Sequence, residues 1–115
     1  MSVRVRRIYD PPEPGDGLRV LVDRLWPRGV SKEEARLDEW PEALTPSTEL
    51  RHWFHDGGSY DEFRHRYEKE LTAPEAAEAL DTLREQVAEG PVTLLTAGRH
   101  PEHSQASVLR DLIEG

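Results

Sequence analysis

Three short stretches of the chain have hydrophobic patterns that predict β-strands. Residues 3–9 alternate valine with arginine at their start, which predicts a strand with one face exposed to solvent. Residues 18–23 and 92–96 are almost continuously apolar and rich in β-branched side chains, as in strands that are covered on both faces of a parallel sheet. Because the connection between the first two strands is short for a parallel crossover, the direction of the first strand stays open.

Helices are predicted in the long segment between the second and third strands and after the third strand. Ser31, Ser59 and Thr72 each begin a Ser/Thr-x-x-Glu capping box, which predicts a helix start. Another helix is expected to begin at Thr45-Pro46, since proline is tolerated at the first helical position, and a last one at about Pro101. The helix that follows Ser31 is expected to stop near residues 40–41, before a proline.

This order of elements predicts a small α/β domain. Strands that alternate with helices favour a mostly parallel sheet of about three or four strands flanked by helices. A chain of 115 residues buries enough surface for one core and not for two, so residues 1–115 are expected to form a single domain. Any site must then be built from the loops of that domain.

Composition excludes several kinds of chemistry. The chain has no cysteine, which rules out disulfides, thiolate nucleophiles and cysteine-bound metals within it. Dinucleotide and Walker phosphate-binding motifs are absent, so no cofactor is predicted. No segment has the length and hydrophobicity of a secretory signal or a membrane helix, and we therefore expect a cytoplasmic protein without a membrane partner.

The charge of the chain is unevenly distributed. The formal net charge of −8 argues against binding to nucleic acid, which requires a basic surface. The first 30 residues nevertheless hold six arginines and four acidic residues, a net charge of +2. The acidic average therefore conceals a basic segment that could meet an anion.

The candidate site lies where two predicted strands end. Ligands of parallel α/β sheets bind beyond the carboxyl ends of the strands, which selects the loops at residues 24–29 and 98–104. Forked guanidinium donors beside a helix N-terminus suit a phosphate or carboxylate. The sequence thus predicts a small anionic ligand, phosphate-bearing or nucleotide-like. The candidate ligand-binding residues are Arg24, Arg28, Arg99 and Ser104.

An enzyme at this site would most simply be a hydrolase. Asp23 or His103 would act as the base, while Arg28 and Arg99 would stabilise developing negative charge. Structural alternatives stand beside these roles, because Asp23 also suits an ion pair with a neighbouring arginine and Ser104 also suits a helix cap. Whether the protein is an enzyme stays open at this point.

Paired histidines do not amount to a metal site. His52 with His55, and His100 with His103, have a spacing that brings two imidazoles together on a helix. A catalytic zinc site needs a third protein ligand, and neither pair belongs to a His-Glu-x-x-His motif. No metal is predicted.

The alternative function is a non-enzymatic interaction or regulatory module. Tryptophan and arginine are favoured anchors of interfaces, so a surface that carries both would suit another protein or a second copy of the chain. Exposure separates the two hypotheses. Buried Trp26 and Trp53 beside a pocket would favour a ligand, whereas an open apolar patch would favour a partner.

Several blocks of the sequence resemble the YeaO-like short branch of domain-of-unknown-function family 488. These blocks are residues 22–29, residues 46–54, Phe63 with Tyr67 and Glu70-Leu71, and residues 92–95 leading to Glu102-His103. The resemblance spans nearly the whole chain and implies a compact bacterial α/β domain with no assigned activity. The family commonly has an Asn-His pair where Ser104-Gln105 stands here, a departure that weakens an acid–base role.

Overall fold

The protein has a three-stranded parallel sheet in which the last strand of the chain is the central one. A computed structural model describes residues 3–115, and the first two residues of the predicted domain lie outside it. The strands are β1 (Val3–Arg7), β2 (Leu18–Leu21) and β3 (Val92–Thr96), in the order β1-β3-β2. Both outer strands pair with β3 in parallel. The α/β class and the parallel sheet are confirmed, and β1 is parallel to β2 but separated from it by β3.

Within residues 3–115, five α-helices and three short 3-10 turns accompany the sheet. The helices are α1 (Lys32–Ala35), α2 (Thr48–His55), α3 (Tyr60–Glu70), α4 (Pro74–Glu89) and α5 (Gln105–Glu114). The 3-10 turns are Pro14–Asp16, Glu42–Leu44 and Pro101–His103.

Two of the three predicted capping boxes start helices. The hydroxyls of Ser31 and Ser59 accept the backbone N–H groups three residues later, at 3.1 and 3.2 Å. The prediction for Thr72 is wrong, because its hydroxyl donates to the carbonyl oxygen of Lys69 at 2.7 Å. That bond belongs to the end of α3, and α4 begins at Pro74 without a side-chain cap.

Serine, not proline, marks the start of α2 and α5. The predicted starts at Thr45-Pro46 and Pro101 are wrong by a few residues: α2 follows Ser47, and Pro101 opens a 3-10 turn before Ser104. A serine hydroxyl accepts a free N–H group of the first turn, which proline cannot do. The helix after Ser31 also ends earlier than predicted, at Arg36 in the left-handed conformation.

The sheet is covered on both faces, as the apolar strands predicted. The main core lies between one face of the sheet and helices α2–α5, and it includes Val20, Leu94, Phe63, Tyr67 and Leu109. A smaller cluster on the other face joins Ile8, Leu21 and Leu95 to Ala35 of α1. Phe54, Phe63 and Tyr67 form a stack within the main core, with centroid distances of 4.3 and 5.7 Å.

A buried ionic network occupies the amino-terminal half of the second face. Asp16 is 1% exposed, and its carboxylate accepts hydrogen bonds from Arg4, Arg6 and Arg19. Burial raises the pKa of Asp16, but the hydrogen bond from the Glu13 N–H and the two arginines Arg19 and Arg6 more than offset this effect, and the pKa is lowered. The network joins the segment before β2 to both outer strands.

Candidate functional site

The carboxyl ends of the three strands bring three loops together. We call this region the strand-end edge; it comprises residues 7–12 after β1, 22–30 after β2 and 97–104 after β3. The position agrees with the rule for ligand sites in parallel α/β sheets. Because β1 is parallel, its loop belongs to the edge as well, which the sequence alone did not settle.

The Asp23 carboxylate connects the ends of two strands and the start of α5 through hydrogen bonds. Its Oδ1 accepts the Thr96 hydroxyl at 2.7 Å and the Gln105 side-chain amide, and its Oδ2 accepts the Ala97 N–H at 2.7 Å. Burial raises the pKa of Asp23. These hydrogen bonds and the charge of Arg51 lower it by less, so the pKa remains above its ordinary value. Among the described residues Asp23 forms no ion pair with Arg24 or Arg28, so the structural alternative of such a pair is wrong.

Arg24 points toward the turn that precedes α2. Its Nε donates to the carbonyl oxygen of Pro46 at 2.9 Å, and one terminal nitrogen lies 3.4 Å from the carbonyl oxygen of Thr45. The other terminal nitrogen lies 3.5 Å from the Glu42 carboxylate. The guanidinium of this predicted ligand-binding residue is therefore already engaged with the turn.

Arg28 and Arg99 lie in loops that contact two adjacent side chains, Tyr9 and Arg7 respectively. The Tyr9 hydroxyl donates to the carbonyl oxygen of Arg28 at 3.0 Å, and Arg7 Nε donates to that of Gly98 at 3.0 Å. The Arg7 guanidinium lies over the Tyr9 ring, 5.0 Å from its centroid. The side chains of Arg28 and Arg99 are exposed and make no hydrogen bond or ion pair within residues 3–115.

Ser104 and His103 sit at the start of α5. Ser104 is 5% exposed, accepts the Ala106 N–H at 3.2 Å and donates to the carbonyl oxygen of Pro101 at 2.7 Å, as a helix cap. His103 is exposed, and its ring lies 5.1 Å from that of Tyr60. No hydrogen bond in the described part of the chain joins His103 to Ser104 or Asp23.

Three residues at or beside the edge were not predicted as site residues: Arg7, Tyr9 and Gln105, the last of which begins α5 directly after the edge. The strand-end rule would have selected Arg7 and Tyr9 if the direction of β1 had been known. Gln105 was noted only as a departure from the family pattern, whereas its amide contacts both Asp23 and, at 3.3 Å, the carbonyl oxygen of Val22.

Large apolar side chains are also exposed at or near this edge. Tyr9 is 44% exposed, Leu25 60% and Trp40 44%. The Trp40 indole N–H donates to the carbonyl oxygen of Asp23 at 2.6 Å, and its ring meets that of Trp26 edge to face at 5.4 Å. Trp26 and Trp53, the two residues chosen to separate the hypotheses, are each half-buried.

The described residues line at least three surface cavities. The largest of these three, about 590 Å³, opens between the loop after β1 and α1, and residues 8–12, 29 and 30 of the strand-end edge line it. A cavity of about 320 Å³ lies beside α4, and one of about 180 Å³ includes Arg24. The other candidate site residues line none of the three: Asp23, Arg28, Arg99, His103 and Ser104.

Residues 3–115 contain neither a membrane-spanning helix nor a cluster of metal ligands. No helix there is long and apolar enough to cross a membrane. No group of three histidine, aspartate or glutamate side chains in that range is arranged to hold a metal ion.

The fold and its edge define a small parallel α/β domain with a polar and aromatic surface at the strand ends. The chain belongs to the family described as the inactive DUF488-N3 subclade, whose model matches residues 2–115. This match confirms the resemblance seen in the sequence.

Relatives in two distant bacteria cover almost the same length. The chain is 44% identical over 114 residues to an uncharacterized protein of Mycobacterium tuberculosis, across 98% of this chain and 94% of the relative. It is 43% identical over 114 residues to the uncharacterized protein YeaO of Escherichia coli, across 96% of each. No solved structure matches the chain significantly.

Proposed function

We propose that this protein is a non-catalytic binding domain that holds a small anionic ligand at the strand-end edge. The observation that carries this proposal is the pair of contacts that bring the Arg28 and Arg99 loops against Arg7 and Tyr9. Both loops thereby contribute an uncommitted guanidinium to one side of the sheet.

Charge and hydrogen bonding favour an anion at this place. Arginine presents planar forked donors that match carboxylate and phosphate oxygens, and it remains charged at every physiological pH. Arg7 already donates to the carbonyl oxygens of Ala97 and Gly98, so it contributes charge while Arg28 and Arg99 contribute free donors. A local concentration of arginine attracts anions even in a chain whose net charge is −8.

The same geometry favours binding without catalysis. A general base needs a lone pair within reach of the proton that it removes, and three donors already occupy the Asp23 carboxylate. The Ser104 hydroxyl is engaged as a helix cap. The description of the matched family as inactive supports the same reading.

Thermal unfolding in the presence of anions tests the proposal. We expect phosphate or a small carboxylate to raise the melting temperature of the wild-type protein, because a ligand at about 100 times its Kd adds about 2.7 kcal/mol. Arg28→Gln and Arg99→Gln should each reduce the rise. Arg84→Gln is the control, since Arg84 is exposed on α4 and paired only with Asp81.

A flat response of the wild-type protein to all of these anions would contradict the proposal. It would favour the second candidate function, a protein-interaction module. The observation in favour of that candidate is the exposure of Leu25 and Trp40, at 60% and 44%, since such side chains anchor interfaces.

A further inference from the structure

The cavity of about 590 Å³ adjoins the loop that carries Arg28. Tyr9 and Gly29 line the cavity, and the Tyr9 hydroxyl donates a hydrogen bond to the carbonyl oxygen of Arg28. A volume of about 590 Å³ lies within the usual range for small-molecule sites. A ligand whose anionic group meets Arg28 can therefore extend into this cavity.

On the basis of that proposed function, we propose that the ligand carries an aromatic ring with an amino group, and that this ring occupies the cavity. The anionic end stays at Arg28 and Arg99. Three features of the cavity support the assignment: its apolar walls, its charge and one free carboxylate.

The walls suit a flat ring. Tyr9 is 44% exposed and lines the cavity, while the Arg7 guanidinium covers one face of its ring. Pro11, Pro12 and Val30 add apolar surface. Aromatic rings pair favourably in offset or edge-to-face contact, by about 0.5–1.5 kcal/mol beyond the area that they bury.

The charge of the cavity excludes the anionic end of the ligand. Three carboxylates line it, those of Asp10, Glu33 and Glu34, against the single cation Arg36. A phosphate or carboxylate inside would meet a net negative surface. We therefore expect the ligand to bind with its anionic group outside the cavity and with a neutral or donor-bearing ring inside the cavity.

Glu33 is the acceptor available for the amino group. The Asp10 carboxylate accepts the Arg7 N–H at 3.2 Å, and that of Glu34 accepts the Ser31 N–H at 3.1 Å. Glu33 makes no hydrogen bond or ion pair with any residue from 3 to 115. A carboxylate forms a stronger hydrogen bond with an N–H donor than a neutral acceptor does, so it distinguishes an amine from a carbonyl.

Adenosine monophosphate and purine riboside monophosphate provide a matched pair of probes, because they differ only in the amino group at carbon 6 of the ring, which the second nucleotide lacks. We expect calorimetric titration to show at least fivefold tighter binding of adenosine monophosphate to the wild-type protein. Glu33→Ala should abolish this preference and leave the melting temperature of the free protein within a few degrees.

The matched control is Glu75→Ala, because Glu75 occupies the second position of α4 as Glu33 does in α1, and it lies outside this cavity. It should keep the preference. Equal affinities for the two nucleotides, or a preference that survives Glu33→Ala, would overturn the inference.

Inorganic phosphate and Arg28→Gln separate this inference from the proposed function. Stabilisation by phosphate that depends on Arg28, with no preference between the nucleotides, would overturn the ring assignment alone. An amine preference that depends on Glu33 but not on Arg28 would overturn the anion site instead. Failure of phosphate and both nucleotides to bind would overturn both.

Discussion

Asp23 shows how a single side chain can hold a site together without taking part in chemistry. Its carboxylate joins the end of β2 to the end of β3 and to the start of α5. Each of these hydrogen bonds satisfies a donor that is partly shielded from water. A shielded donor that lacks a partner lowers the free energy of unfolding. Asp23 is therefore expected to contribute to stability.

Asp23→Asn tests this role. The variant keeps the shape of the side chain but replaces one accepting oxygen by a donating nitrogen. In one orientation of the amide this nitrogen faces the Ala97 N–H, and in the other it faces the donors of Thr96 and Gln105, so that donor meets donor in both. We expect the free energy of unfolding to fall by about 1–3 kcal/mol, measured by urea denaturation at pH 7.

Asp61→Asn serves as the control, because Asp61 is exposed in the first turn of α3. Its effect should stay within about 0.5 kcal/mol. Unchanged or increased stability of Asp23→Asn would contradict the structural role, since increased stability is the usual result when a strained functional group is removed.

At the scale of elements, the start of α2 is held more firmly than the other helix starts. Ser47 caps α2, and in addition its N–H and hydroxyl both donate to the Glu70 carboxylate of α3, at 2.9 and 2.6 Å. Arg24 and Tyr67 donate to neighbouring carbonyl oxygens of the same turn. This turn is thereby held both by the loop after β2 and by α3.

Ser47→Ala and Ser59→Ala form a matched pair that measures the added interaction. Both serines accept the N–H group three residues later, but Ser59 lacks a partner like Glu70 among the described residues. We expect Ser59→Ala to cost about 1 kcal/mol and Ser47→Ala about 1 kcal/mol more. Equal losses of unfolding free energy in urea would show that the Glu70 contact contributes nothing.

The sequence predicted elements well where the cause is local. The alternation and β-branching of the strands, and the helix starts at Ser31 and Ser59, depend on neighbours within a few residues, and all of them are confirmed. The reciprocal capping box forms at Ser31, whereas the Glu62 carboxylate pairs with Arg66 instead. Thr72 failed because the same hydroxyl can bond backward to Lys69 or forward to a new helix, and local pattern does not decide between the two.

The candidate site was less predictable because its geometry depends on distant pairing. The two loops after β2 and β3 were identified from the sequence. The positions of Arg7 and Tyr9 at the same edge depend on the parallel pairing of β1 with β3, and these two strands are far apart in the sequence. Likewise, nothing local to Arg24 indicates that its side chain reaches the carbonyl oxygen of Pro46, which lies 22 positions along the chain.

At the scale of the whole molecule, the buried network around Asp16 couples stability to pH. The pKa of Asp16 is lowered in the folded state, so its carboxylate binds protons less readily there than in the unfolded chain. The resulting stabilisation is complete above the ordinary value of 3.8 and is lost as pH falls through the lowered folded pKa.

Asp16→Asn should therefore change the acid limb of the stability profile. At pH 7 we expect a loss of about 3–5 kcal/mol, because Arg19 and Arg6 keep their charge without their shared partner. Below about pH 4 the difference from wild type should shrink, as the wild-type carboxyl takes up its proton. Urea titrations from pH 7 to pH 2 measure both effects.

Glu13→Gln is the control for this network, since Glu13 is 53% exposed and lies 3.4 Å from Arg4 and 3.6 Å from Arg6. A surface pair of this kind contributes about 0–1 kcal/mol. An Asp16→Asn profile parallel to that of wild type across the whole range would contradict the assigned pKa shift.

The central position of β3 also sets the order in which the protein can fold as it is synthesised. Val3 pairs with Val92, which is added 89 residues later, and Leu18 pairs with the same residue. Until then β1 and β2 have no strand to pair with, and such unpaired strands are prone to aggregation. The sheet therefore closes only after β3 has been synthesised, and because its paired strands lie far apart in the sequence, that closure is slow compared with helix formation.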